Sequence, residues 1–327
     1  MKLPVARLAA AAILLVAGST AALAQPAPKV YRIGFVSPAS AGPTLDAFRQ
    51  ALRELGYVEG RNVVIEARFA EGRSERIPEL VAEVLRSNVD VLLVGSTVGA
   101  LAAKKATATV PVVFAGLIDP VVTGIVPSLA RPGGNITGAT FGIGAAGVAA
   151  KWVELVKDAF PDVSHVAALW NPANPAGAPL VREVQSAARS LNLRLDLHEA
   201  GSPAQLAAAF AAIGASGARA MIVTNDPFFY ANRPQLVEYA AKRRVPAVYF
   251  TRDFADAGGL MSYGSSVPDS YRRAAMHVDR ILKGAKAGDL PIDQPMRFDL
   301  VVNLKTARAL GVVIPRALLT RADEIID

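Results

Sequence analysis

Short runs rich in valine and isoleucine alternate along the chain with stretches whose apolar residues recur every three or four positions. The runs cover residues 30–36, 63–68, 89–94, 112–115, 166–170, 194–198, 220–224 and 247–250. An unbroken apolar run of this length predicts a strand covered on both faces, as in a parallel sheet. Between the runs, Leu45, Phe48, Leu52 and Leu55 fall on one helical face, and so do Ile77, Leu80, Val81 and Val84. Further on, Leu180, Val184, Ala187 and Leu191 repeat the pattern, as do Leu206, Ala209, Phe210 and Ile213. Alternating strand and helix signals of this kind predict an α/β protein with doubly wound parallel sheets and right-handed crossovers.

The alternation is interrupted at residues 132–147, PGGNITGATFGIGAAG, where six of sixteen residues are glycine. That stretch is too glycine-rich for a core helix, and its Gly-Gly-Asn reads as a turn; a lobe boundary is expected near residues 142–144. A second irregular zone, residues 253–259, closes the second series. After it come a short strand at 260–263, a helix at 268–283, a Gly/Pro/Asp connector at 284–295, a strand at 298–302 and a helix from Asn303. The expected organisation is two lobes, one of residues 25–142 plus 254–292, the other of residues 143–253 plus 293–327. A chain that passes more than once between two lobes restricts them to opening and closing about one axis.

Composition adds a destination. Lys2 and Arg7 precede an apolar run at residues 8–16 and a small-residue stretch ending Ala22-Leu23-Ala24. This is the pattern of a secretory signal peptide cleaved after Ala24, and it predicts a periplasmic protein. The chain has no cysteine, which excludes a disulfide framework, a thiolate metal site and a lipid-attachment cysteine. The formal net charge of +7 loses two cations and no anion with residues 1–24, leaving +5. Lys242-Arg243-Arg244 is the densest basic run and reads as a solvated face; no nucleic-acid partner is expected.

In open parallel sheets, ligands bind outside the carboxyl ends of the strands. Four of those ends carry a small polar residue followed by proline: Ser37-Pro38, Asp119-Pro120, Asn171-Pro172 and Asn225-Asp226-Pro227. Proline keeps the preceding residue extended and suits the first helical position, so each pair predicts a capped strand-to-helix junction. Capping alone would account for Asp119 and Asp226, and equally for Ser96 and Thr97 after the third strand. The functional reading adds that these junctions face the gap between the lobes. Helix starts offer amide hydrogens to a carboxylate, and the aspartates would accept an ammonium group. Phe228, Phe229 and Tyr230 could wall such a pocket or pack in the lobe core.

Enzyme signatures are missing. His165 and His198 flank expected strands, His277 lies in an expected helix, and all three read as surface or satisfied histidines. The stretch GSTVG at residues 95–99 has Thr where a hydrolase elbow needs Ser. No dinucleotide-binding or phosphate-binding glycine pattern follows the first strand, and no cofactor or metal is expected.

The chain resembles the substrate-binding proteins of ABC importers, in the group that includes tryptophan- and tyrosine-binding members. The resemblance rests on IGFVSPAS and LDAFRQALRELGYVEGRNVVIEARFAEG within residues 33–72, IDPVVTGIVPSLARPGGNITG at 118–138, LWNPANP at 169–175, NDPFF at 225–229, and the tail that ends VVNLKTARALGVVIPRALLTRADEIID. It implies a type I periplasmic-binding-protein fold whose lobes are joined by a three-crossover hinge. It also implies delivery of a solute to an ABC permease in the inner membrane, driven by a cytoplasmic ATPase. By position, ligand contacts are expected from Ser37, Ser96, Thr97, Asp119, Asn171 and Asp226, with Phe228 as a wall. A small zwitterion such as an amino acid is the expected solute and a monomer the expected state. A periplasmic sensing module for a chemoreceptor or sensor kinase is the alternative on the same fold.

Overall fold

The computed structural model describes residues 29–142 and 147–327; the expected leader and residues 143–144 of the expected lobe boundary lie outside them. Five strands form the first sheet: β1 (Tyr31–Ser37), β2 (Val63–Phe69), β3 (Val91–Val94), β4 (Val112–Leu117) and β5 (Ile136–Thr140), in the order β2-β1-β3-β4-β5 and all parallel. Seven form the second: β6 (His165–Trp170), β7 (Arg194–Glu199), β8 (Ala220–Val223), β9 (Ala247–Tyr249), β10 (Met261–Gly264), β11 (Asp299–Asn303) and β12 (Glu324–Ile326). Their order is β12-β11-β10-β9-β8-β6-β7, parallel except where β10 meets β11. The two sheets define two lobes of an α/β fold.

The unbroken apolar strands have the predicted cause. In the first lobe, Phe35, Leu93, Val113 and Ala115 pack on one face, against Phe48 and Leu52 of the helix Pro43–Glu54 and Ala274 and Val278 of the helix Val267–Leu282. Their neighbours Val36, Leu92, Val94 and Phe114 point to the opposite face, against Val81 and Val84 of the helix Ile77–Arg86 and Ala100 of the helix Thr97–Ala106. Side chains alternate along a strand, so inner strands of a sheet with helices on both faces read as nearly continuous apolar runs.

Two features differ from the sequence reading. The glycine-rich stretch, for which no strand was expected, contains β5 directly after its Gly-Gly-Asn turn. Ile136–Thr140 is wholly buried, and a Cβ on Gly138 would lie 2.2 Å from the Phe114 carbonyl oxygen. Only glycine lets β5 come this close to β4, so the residue that looked like a chain breaker is a close-approach device. The second difference is the crossing expected at residue 253. Residues 252–256 form a short helix, and β10 then pairs Met261 with Val248 and Val302. Residues 254–264 therefore lie with the second sheet, and the chain crosses at Ser265 and Ser266 into the helix that covers the first. The irregular composition there marks a one-turn helix and a Gly-Gly turn inside the lobe, not a connector.

The chain passes between the lobes three times: after β5, after β10 and before β11. The passages are bonded to one another. Ser265 Oγ donates to the Phe141 carbonyl at 3.1 Å, and Thr140 N donates to the Asp293 carbonyl at 2.8 Å. Asp293 N donates in turn to the Gly138 carbonyl at 2.9 Å. On the second lobe, fully buried Trp152 donates from Nε1 to the Tyr263 carbonyl at 2.7 Å, tying the first helix after the crossing to β10.

Gly138→Ala should lower unfolding free energy by at least about 2 kcal/mol, because a backbone atom stands in the way and the strand must shift. Urea unfolding followed by circular dichroism measures this; a loss well under 1 kcal/mol would show that β5 can move freely away from β4.

Candidate functional site

Both sheets turn their carboxyl ends toward one gap, where two adjoining cavities lie. The larger holds about 450 Å³ of open space, lined by Ser37, Thr44 and Tyr271 from the first lobe and by Asn225, Asp226 and Tyr230 from the second. Phe141 and Phe250 close its hinge side. The smaller holds about 240 Å³ and lies between Ser96 and Thr97 on one side and Asn171, Asn174 and Asp226 on the other. Asp226 and Pro227 line both cavities, so the two are parts of one cleft.

Asp226 is the centre of this arrangement. It lies 2% exposed and caps the short helix Pro227–Ala231. Its Oδ1 accepts from Phe228 N at 2.7 Å and from Asn171 Nδ2 at 3.2 Å, and its Oδ2 accepts from Asn174 Nδ2 at 2.8 Å. The Phe229 amide also donates to it. Burial pushes its pKa up to about 6, with the Asn174, Asn171 and backbone donors pulling the other way. Capping and cleft position coexist here, as the sequence allowed.

The other three polar-proline pairs do not cap helices. Ser37 Oγ accepts from Ala39 N at 3.2 Å, Asn171 Oδ1 from Ala173 N at 3.0 Å, and Asp119 Oδ1 from Val121 N and Val122 N at 3.0 Å each. Each side chain bonds an amide two or three residues on, forming a local turn in place of the cap. The nearest helices begin later, at Pro43 and Gly177. Ser96 does cap a helix, accepting from Gly99 N at 3.0 Å, and Thr97 is the first residue of that helix.

The structure brings Ser37, Ser96, Thr97, Asn171 and Asp226 together at the cleft. Asp119 stands apart. It lines a separate inter-lobe cavity of about 430 Å³ with Glu183 and Leu180, where burial raises the Glu183 pKa. Asp119 and Asp226 therefore do not form one acidic pair. Phe228 packs into the core of the second lobe, 2% exposed, and lines neither part of the cleft. The chain reverses into a helix at Pro227, which directs Phe228 and Phe229 inward and leaves Tyr230 as the aromatic at the cleft.

Several cleft residues carry no local signal in the sequence. Tyr271 belongs to the helix Val267–Leu282 and reads as one more apolar-face residue, yet its hydroxyl lies beside Ser37 and Thr44 at the cleft. A Cβ on Gly95 would lie 2.0 Å from that hydroxyl oxygen, so glycine at the end of β3 makes room for it. Tyr230 donates its hydroxyl to Asp253 Oδ1 at 2.8 Å and lies under the Arg233 guanidinium at 4.8 Å. The histidines stand elsewhere: His165 Nε2 meets Asp196 at 2.7 Å on the strands β6 and β7, and fully buried His277 sits 3.2 Å from Asp293 near the hinge without hydrogen-bond alignment. Among the described residues no three His, Asp or Glu side chains cluster as metal ligands.

A two-lobed α/β fold with a polar, aromatic-walled cleft across its hinge defines the class of two-lobed solute-binding proteins. The chain belongs to the family described as ABC transporter substrate binding protein, whose profile matches residues 29–326. It is 23% identical over 274 residues to a tyrosine-binding protein of Clostridioides difficile (strain R20291), a match that covers 83% of this chain and 78% of that protein. Among solved structures it is similar to a conserved domain protein from Vibrio cholerae O1 biovar El Tor, at 26% identity and a TM-score of 0.82, covering 91% of this chain and all of that one. A domain from Streptococcus pneumoniae, solved in complex with L-Trp, matches at 25% identity and a TM-score of 0.81 over the same shares.

The raised pKa of Asp226 has a sign that can be measured. A carboxyl group whose pKa is higher folded than unfolded adds stability below its unfolded value of 3.8, and that contribution is lost as pH rises through about 6. Asp226→Asn removes the titration. The stability of the unsubstituted protein relative to this variant should fall by about 2 kcal/mol between pH ~4 and pH ~7. Urea unfolding of both proteins at the two pH values measures it; a difference independent of pH would mean that the hydrogen bonds offset burial completely.

Proposed function

We propose that the protein is the solute receptor of an ABC importer, exported to the periplasm, which captures a small zwitterionic solute between its lobes and hands it to a membrane permease. An amino acid or close analogue with an aromatic side chain fits best. The observation that carries this reading is the cleft itself, which both lobes line at the carboxyl ends of their strands. Family membership supports the importer, and the tyrosine-binding relative and the L-Trp complex support an aromatic amino acid. Phe141, Phe250 and Tyr230 supply walls for a ring.

In this reading Ser37, Ser96 and Thr97 contact the solute from the first lobe and Asn171 from the second. Closure is then a shift in population between open and closed forms, and a solute drives it only as far as it binds the closed form better. Contact with both lobes supplies that difference, and the three bonded passages confine the motion to a hinge rotation.

A thermal-shift screen of the purified protein against the twenty amino acids tests the reading. A ligand at 100 times its dissociation constant adds about 2.7 kcal/mol to stability, so the true ligand class should raise the melting temperature by several degrees. No shift with any aromatic amino acid would rule out that class.

A further inference from the structure

We propose that the cleft recognises the carboxylate end of its solute through the side-chain amide of Asn225, and that Asp226 positions Asn171 and Asn174 without itself meeting the solute's ammonium group. The inference rests on the receptor reading above and says which end of the solute that receptor reads.

Asp226 is the one acid among the described residues lining the two parts of the cleft, and no lysine or arginine lines either. A carboxylate offers about four lone-pair positions. At Asp226 all four face donors of its own lobe: Phe228 N, Phe229 N, Asn171 Nδ2 and Asn174 Nδ2. An arriving ammonium group would have to displace one of them, and each displaced donor would be left buried and unpaired. The two asparagines are held from both ends, because Asn171 Oδ1 accepts from Ala173 N and Asn174 Oδ1 accepts from Ala176 N at 3.1 Å. The network is a closed frame.

Asn225 is the opposite case. It lines the larger part of the cleft and is 8% exposed, and its Nδ2, itself buried, has no hydrogen-bond partner among the described residues. A buried donor without an acceptor is costly, and nearly all such groups in folded proteins are paired. A solute oxygen at this position removes the cost. The hydroxyls of Ser37, Thr44 and Tyr271 stand on the facing wall of the same cavity and provide further neutral donors. Bonds from neutral donors to an ionised carboxylate are charge-assisted and stronger than neutral pairs. The solute class that fits is therefore an organic carboxylate with an aromatic or apolar body, for which the α-ammonium group is dispensable.

Isothermal titration of the full chain with matched probes decides the matter. For tryptophan, tyrosine and phenylalanine in turn, the probes are the amino acid, its deaminated propionate and its decarboxylated amine. In at least one series the propionate should bind and the amine should bind at least about tenfold more weakly than the propionate. Asn225→Asp puts a like charge against the carboxylate without changing side-chain size. It should weaken the propionate by about ten- to one-hundredfold while leaving the amine unweakened, a charge-selective change that loss of packing alone would not produce. An amine that binds as well as the propionate overturns the inference and leaves the receptor reading standing. A propionate that binds the Asn225→Asp protein undiminished overturns the role of Asn225. Binding of none of the nine probes removes the aromatic receptor reading and this inference with it. The comparison of probes on the unsubstituted protein stands even if the variant does not fold.

Discussion

Three passages of chain lie side by side between the lobes and bond to each other, and the cleft exists because of that constraint. Phe141 meets Ser265, Thr140 meets Asp293, and Trp152 reaches Tyr263 from the next helix. A single linker would let two lobes adopt many relative orientations, and their strand ends would face one another only by chance. Three parallel passages leave rotation about the line that joins them. The carboxyl ends of the parallel strands then confront one another, and the loops after β1, β3, β6 and β8 open into the same space.

Within that space the electrostatics are arranged from one side. A carboxylate is buried in the second lobe at Asp226, and four donors surround it there. Its charge is too costly to leave bare, and the asparagines that satisfy it are themselves fixed by backbone amides. The result is a rigid polar wall, preorganised before any solute arrives. Facing it, Ser96, Thr97 and the Tyr271 hydroxyl present neutral groups. One lobe thus carries the structural charge, and the other carries adaptable hydroxyls.

Periodicity made most of the fold legible because helices cover both faces of each sheet and the strands read as continuous apolar runs. It failed at β5, where the close approach of Gly138 to Phe114 demands the residue that otherwise marks a turn. It also failed at β10, where a one-turn helix and two glycines resembled a connector. The site was legible where the signal is local. A small polar residue before proline at a strand end marks Ser37, Asn171 and Asp226, which line the cleft, although only Asp226 caps a helix. Side-chain direction was not legible: Asp119 follows the same rule and enters a different cavity, and Phe228 turns into the core. Tyr271 could not be found by local pattern, because a helix far along the sequence returns across the hinge to deliver it.

The return of the chain after that helix has a second effect. Residues 288–293 run beside β5, with Gly133 bonded to Gly288, Thr137 to Leu290, and Gly138 and Thr140 to Asp293. A free sheet edge is a template on which another chain can pair. The third hinge segment occupies this one. At the remaining borders, β2 carries Glu66 and Arg68, β7 carries Arg194, Asp196 and Glu199, and β12 is only three residues long. The two sheets therefore present no long, bare strand edge on which another chain could pair, and the lobes are unsuited to stacking into fibres.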